Sequence, residues 1–233
     1  MKENKLRQLK EMVASSYEVA AKHFAATRVK APGLDFFWAM GHIQADDFVL
    51  DAGCGNGRLL DWLSINPNNY LGIDQSRALI EIARQDHPAF QFEVADLTII
   101  NSLPTDKYSA VFCSAVLGHI PGKNERIQAL KNIYNATAPG GKLIISYWKF
   151  RGKYRRQLYQ TWLKKIRGAH PYGWLDFVFP WKGDDGKEMA TRYYHLFTRS
   201  GFRREIEAAG WKVIKDNNSG YNYWIIAEKT QSS

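Results

Sequence analysis

Val49-Leu-Asp-Ala-Gly-Cys-Gly-Asn-Gly57 is the stretch that decides the fold. An apolar pair runs into Asp51, and glycines follow at alternate positions: Gly53, Gly55 and Gly57. This pattern predicts a strand that ends in a turn tight enough for a ligand to touch backbone. The next apolar run, Tyr70-Leu-Gly-Ile-Asp74, also ends in an acid. Acids at two strand ends suit a nucleoside-bearing ligand held at the carboxyl edge of an α/β sheet.

Working outward, periodicity predicts a helix over residues 4–24, carried by Leu6, Leu9, Met12, Val13, Tyr17, Ala20, Ala21 and Phe24. Ala31-Pro-Gly33 interrupts the chain, and a short apolar helix resumes over Leu34 to Met40. Strands are predicted over residues 48–51, 70–74, 90–94, 108–114, 142–148, 211–214 and 223–227. Helices are predicted over residues 58–63, 77–85, 124–137 and 202–209, the second with Ser76 as its N-cap and the third stopped by Pro139-Gly-Gly141. A polar turn, Asp216-Asn-Asn-Ser-Gly220, joins the last two strands and predicts an antiparallel hairpin. The alternation implies an α/β, doubly wound, Rossmann-like seven-stranded sheet, mostly parallel with a C-terminal antiparallel hairpin. N-terminal helices precede it, and an insertion follows the fifth strand. The expected divisions are a helical extension over 1–44, a cofactor-binding core over 45–148, a basic aromatic insertion over 149–200, and a helix and hairpin over 201–230 that complete the core.

A chain of 233 residues has room for one domain with an elaboration. It has no uninterrupted apolar run of membrane-spanning length, so no membrane partner is expected. The charged N-terminus lacks the apolar segment of a secretion signal, and Cys54 and Cys113 are too few for a disulfide framework or a zinc cluster. A cytoplasmic setting and no bound metal are expected. The net charge of +9 is concentrated, because Lys149 to His170 carries eight Lys and Arg and no acid. Those cations, Lys149, Arg151, Lys153, Arg155, Arg156, Lys164, Lys165 and Arg167, are interleaved with Phe150, Tyr154, Tyr159 and Trp162. A charge run alone suits a solvated helix face equally well. Clustering of cations with flat rings points to phosphate contacts and base stacking on a nucleic acid.

The glycine spacing G-x-G-x-G, directly after the strand-ending acid, departs from the dinucleotide fingerprint. It resembles motif I of the class I S-adenosylmethionine-dependent methyltransferases. The resemblance implies S-adenosyl-L-methionine as cofactor and assigns residues to it. Gly53 and Gly55 would let backbone approach its amino-acid end, Asp51 would bear on its ammonium, and Asp74 would accept both ribose hydroxyls; Gly57 and Gln75 would also bind the cofactor. Asp96 and Leu97, in Val94-Ala-Asp-Leu97, would lie beside the adenine, and Ser114 would border the cofactor at the end of the fourth strand.

The flanks are similar to something narrower. Tyr17-Glu-Val-Ala-Ala-Lys-His-Phe-Ala-Ala-Thr-Arg28, Val116-Leu-Gly-His-Ile120, Gly140 to Trp148, Phe179-Pro-Trp-Lys182 and Arg192-Tyr-Tyr-His-Leu-Phe197 resemble the wobble-uridine tRNA methyltransferases, which methylate 5-carboxymethyluridine. Two positions depart from that family: Gly118 stands where it has a histidine, and Pro32 is followed by glycine where it commonly has Trp-Pro. The resemblance implies tRNA as partner, together with a small zinc-binding activator protein. It implies Arg28, His119 and Arg192 as the groups that orient the acceptor, and Trp148, Trp181 and Tyr193 as walls for the base. Lys153, Arg155, Arg156, Lys164 and Lys165 would bind RNA. A carboxylate acceptor is already an anion, so no strong base is needed, and alignment and exclusion of water become the enzyme's tasks. Two other readings compete: a methyltransferase of a small-molecule carboxylate or other metabolite, and a non-catalytic RNA-binding protein.

Overall fold

A computed structural model describes residues 3–27, 32–149, 155–168 and 173–230, without the side chains of 155–157. The first helix, α1 (Glu3–Ala26), buries Leu9, Val13, Ala20 and Ala21, and α2 (Leu34–Met40) follows. The core strands are β1 (Val49–Ala52), β2 (Tyr70–Asp74), β3 (Gln91–Val94), β4 (Tyr108–Ser114) and β5 (Thr137–Trp148). Between them lie α3 (Arg77–Asp86) and α4 (Lys123–Ala136). Then come α5 (Arg155–Ile166), β6 (Asp176–Lys182), β7 (Glu188–His195), α6 (Arg199–Ala208), β8 (Lys212–Asn217) and β9 (Asn222–Glu228).

The main sheet has seven strands in the order β3-β2-β1-β4-β5-β9-β8. β1 to β5 pair in parallel, while β9 runs antiparallel to both β5 and β8. Both faces of β1 are buried, so its side chains split between two cores: Leu50 and Ala52 join Leu143, Ile145 and Trp211 on one face, and Val49 joins Phe112, Ile144 and Trp224 on the other. This is the burial expected of a doubly wound sheet. The chain steps outward from β1 to β3 and returns to β4 on the other side of β1. The loops after β1 and β4 therefore diverge and open a crevice at the carboxyl edge.

The predicted helix over 58–63 is a single 3-10 turn, Arg58–Asp61. Gly57 caps it at a φ of 78°, and another turn begins at Asn66-Pro67, which leaves no length for an α-helix. Strand β5 begins at Thr137, so Pro139-Gly-Gly141 lies inside it rather than ahead of it. The insertion after β5 holds regular structure, namely α5 and the separate two-stranded β6–β7 hairpin. No helix among the described residues is long and apolar enough to cross a membrane.

Candidate active site

Three carboxylates stand along the carboxyl edge. Asp51 is buried beneath the glycine turn and accepts a hydrogen bond from the Tyr70 hydroxyl at 2.9 Å. Burial pushes its carboxyl up, the Tyr70 bond opposes this, and nearby Asp74 adds to it; the group titrates at about 7. Asp74 accepts from the Gly55 N–H at 3.0 Å and the Ser76 N–H at 2.9 Å, bonds that partly offset an upward push from burial. Asp96 spends Oδ1 on the backbone N–H and hydroxyl of Thr98, both at 2.8 Å.

The turn itself is held by Gly53 and Cys54, whose N–H groups donate to the Ile73 carbonyl at 2.7 and 3.0 Å. A Cβ at Gly53 would lie 2.3 Å from Val116 Cγ2, so the loop after β4 can close against bare backbone. Ala115, in that loop, adopts a φ of 58°, rare for a residue with a Cβ. Its N–H is held by the Ser146 carbonyl and hydroxyl, each at 3.1 Å.

Asp51, Gly53, Gly55, Asp74, Gln75, Asp96, Leu97 and Ser114 line one cavity of about 910 Å³. His119, Trp148, Trp181 and Arg192 line it too, brought there by the loop after β4, the end of β5 and the β6–β7 hairpin. The Arg192 guanidinium lies 3.6 Å from the centroid of the Trp181 ring, with Trp148 and Phe179 at 5.6 and 5.7 Å. Helix α1 adds Val13, Tyr17 and Phe24 to the lining, with Tyr17 and Phe24 packed edge-on against Trp181. It is moored by Glu18, whose carboxylate accepts the Arg77 and Ala78 N–H groups at the start of α3, at 2.6 and 3.0 Å. Lys10 moors it a second time, on Thr98 and Glu125 at 2.8 Å each.

Several expected residues stand elsewhere. Gly57 does not line the cavity; a Cβ there would meet His87 and Phe92 at 2.9 and 3.2 Å, so its bareness serves packing behind the turn. Tyr193 points to the other face of β7, where its ring packs with Leu9 and Val13 and its hydroxyl donates to Asp176 at 2.7 Å. Strand alternation instead turns Tyr194 inward, stacked on Trp148 at 5.1 Å and 13°. Lys165 is occupied with the carbonyls of Gly173, Trp174 and Asp176 at 2.6, 2.8 and 2.9 Å, and Lys164 is exposed on α5 away from the cavity. Arg28 and Lys153 lie outside the described residues, as do the side chains of Arg155 and Arg156.

Sequence reasoning missed Tyr70, Glu18, Lys10 and Tyr194. Their partners are distant in the chain, and only the period-two alternation around Arg192 carried a signal, for Tyr194.

The cavity suits a cofactor with a cationic amine and a ribose. Asp51 is a buried acid whose charge a cation would restore, and Asp74 is presented beside bare backbone at Gly55. A family model described as a methyltransferase domain matches residues 21–216. The chain is 28% identical over 236 aligned residues to the Schizosaccharomyces pombe tRNA (carboxymethyluridine(34)-5-O)-methyltransferase, covering 94% of this chain and 96% of that one. Among solved structures, the methyltransferase of a Haloferax volcanii complex with the Trm112 methyltransferase activator superposes with a TM-score of 0.67 at 12% identity, over 95% of this chain and 99% of that one. Burkholderia thailandensis 1,6-didemethyltoxoflavin-N1-methyltransferase, solved with S-adenosylhomocysteine, superposes with a TM-score of 0.65 at 14% identity, over 97% of this chain and 90% of that one.

Proposed function

The chain belongs to the methyltransferase domain family, and from that premise we propose that it methylates the carboxylate of 5-carboxymethyluridine at the wobble position of tRNA, with S-adenosylmethionine as donor. One observation carries the reading: Arg192, seated on Trp181, faces the same cavity as the three strand-end carboxylates. The same insertion carries the concentrated cations of residues 149–167, which suit a phosphate backbone rather than a single carboxylate.

When bound, the cofactor supplies a methyl group on a cationic sulfur. The chain's own residues then divide the remaining tasks. Asp51 takes the ammonium, and Asp74 takes the ribose hydroxyls. Asp96 and Leu97 border the base. Arg192, a cation held rigid by rings, pairs with the carboxylate oxygen that does not attack, because a cation on the attacking oxygen would blunt it. Trp148 and Trp181 exclude water, so the opposed charges of acceptor and donor meet in a dry site. Arg28 joins Arg192 in this proposal through the family motif alone. Exposed cations of the insertion hold the RNA backbone.

A Trm112-type activator, carried over from the Haloferax volcanii neighbour, is part of the proposal. The test is transfer of labelled methyl to tRNA carrying 5-carboxymethyluridine, with and without activator, followed by nucleoside mass spectrometry. Cofactor binding without transfer in either arm would sink the reading.

A further inference from the structure

Tyr17 and His119, 102 positions apart in the chain, meet at the acceptor end of the cavity. The Tyr17 hydroxyl lies 3.2 Å from His119 Nε2, and His119 Nδ1 lies 3.1 Å from the Tyr193 carbonyl oxygen. A carbonyl oxygen can only accept, so Nδ1 carries the proton. In the neutral imidazole Nε2 then accepts, and the Tyr17 hydroxyl donates to it. The ring has little room to turn. Tyr17, Trp148 and Tyr194 meet it edge-on, with centroids at 5.4, 5.1 and 5.1 Å. Tyr17 in turn stands edge-on to Trp181 at 5.3 Å, the ring beneath Arg192.

We propose that Tyr17 is a positioning residue of the acceptor pocket: its hydroxyl holds His119 as the neutral, Nδ1-protonated imidazole and so ties α1 to the hairpin that carries Arg192. Three separately placed segments are joined by two hydrogen bonds, Tyr17 to His119 and His119 to the Tyr193 carbonyl. The carboxylate acceptor is already an anion, so turnover asks no proton transfer of His119. Its value is as a rigid neutral wall. An imidazolium at this point would add a second cation near Arg192 and hold the acceptor carboxylate in its ground state. What the pocket accepts rests on the function proposed above, while the tautomer and the Tyr17 bond do not.

The test is nitrogen NMR of the histidine side chains in the protein saturated with S-adenosylhomocysteine, with His119 assigned by its loss in His119→Gln. In the wild type, Nδ1 should resonate as a protonated nitrogen and Nε2 as an unprotonated, hydrogen-bonded one. Tyr17→Phe should move Nε2 downfield while Nδ1 stays protonated. It should lower kcat about 10- to 100-fold through misalignment, with KM for tRNA and cofactor affinity within about twofold. A wild-type His119 protonated on Nε2 overturns the proposal, and this arm needs no variant to fold. A Tyr17→Phe variant with unchanged Nε2 and kcat overturns it too. Parallel loss of cofactor affinity and kcat would make Tyr17 a support for α1 alone, which also overturns it. Wild-type protein that transfers nothing to tRNA would refute the substrate reading and leave the NMR arm standing.

Discussion

Tyr194 lies flat on the backbone of Gly118: a Cβ built at 118 would stand 2.4 Å from Tyr194 Cε2 and 2.6 Å from Cζ. The same ring stacks on Trp148, and its hydroxyl accepts the Trp148 backbone N–H at 2.8 Å. Gly118, which departs from the resembled family's histidine, is thus the seat of a buried tyrosine that backs Trp148, a residue of the cavity lining. Gly118→His must push Tyr194 off Trp148, at an overpacking cost of about 1–3 kcal/mol. Thermal denaturation should show a lower Tm, and near-ultraviolet circular dichroism should lose the Trp–Tyr stacking signal. Adding Tyr194→Ala should cost less in the Gly118→His background than in the wild type, a coupling that a double-mutant cycle measures. Equal costs in both backgrounds would contradict this close packing of Tyr194 on Gly118.

Cofactor binding should release a proton near neutrality. Asp51 titrates at about 7 in the folded protein, against about 3.9 for an ordinary aspartate. An ammonium beside it favours the ionised form and lowers that value. Affinity should therefore rise with pH up to about 7 and level off above it. Calorimetry in buffers of different ionisation enthalpy should detect proton release at and below that pH and none well above it. The stability sign is opposite. A folded pKa above the unfolded one makes this group stabilising at low pH, and that contribution is lost as pH rises through about 7 in the cofactor-free protein. Tyr70→Phe removes the hydrogen bond that favours the charge, so the midpoint should move up. Binding that is flat in pH and independent of buffer would refute the assignment.

What could be read in the sequence was local. Asp51, Asp74 and Ser76 announce themselves because an acid or cap at a strand end is set by immediate neighbours. Long-range partners are silent in one dimension. Gly57 looks like part of the cofactor turn until His87 and Phe92 are seen behind it. Tyr193 and Tyr194 are indistinguishable as letters, and the face each occupies depends on which residue β7 aims at the cavity. The β6–β7 hairpin has a turn signal in Gly183-Asp-Asp-Gly186, but the basic, aromatic composition of residues 149–200 marks only an insertion and not the pairing of its strands.

Glu18 is a remote cap. Its two carboxylate oxygens receive the N–H groups of Arg77 and Ala78, donors that open α3 and have no helical acceptor of their own. The same bonds hold α1 over the cofactor cavity. Glu18→Ala should therefore lower stability by about 1–2 kcal/mol, the usual worth of a charged N-terminal cap. It should also speed S-adenosylhomocysteine release in stopped-flow measurements, since Val13, Tyr17 and Phe24 lose part of their anchorage. Unchanged release with lowered stability would mean that α1 keeps its place over the cavity without Glu18, through Lys10 and the Tyr17–His119 bond.

Lys164 and Lys165, adjacent in sequence, should behave as opposites. Lys164 is exposed on α5, within the most basic part of the chain. Lys164→Glu should leave Tm unchanged, weaken tRNA binding and flatten its salt dependence, by about 0.7–0.9 in the log–log slope for each phosphate that is no longer neutralised. Lys165 already donates to three backbone carbonyls between Gly173 and Asp176 and lies 4.5 Å from the centroid of the Phe177 ring. Removing it leaves those carbonyls to solvent and frees the loop that leads into β6. Lys165→Ala should cost about 1–2 kcal/mol and speed hydrogen exchange in the Gly173–Asp176 turn. Its effect on the salt slope of tRNA binding should be small, because its charge is turned inward to the protein's own backbone. A large slope change on Lys165→Ala, with Tm preserved, would place the RNA on that side of α5 instead.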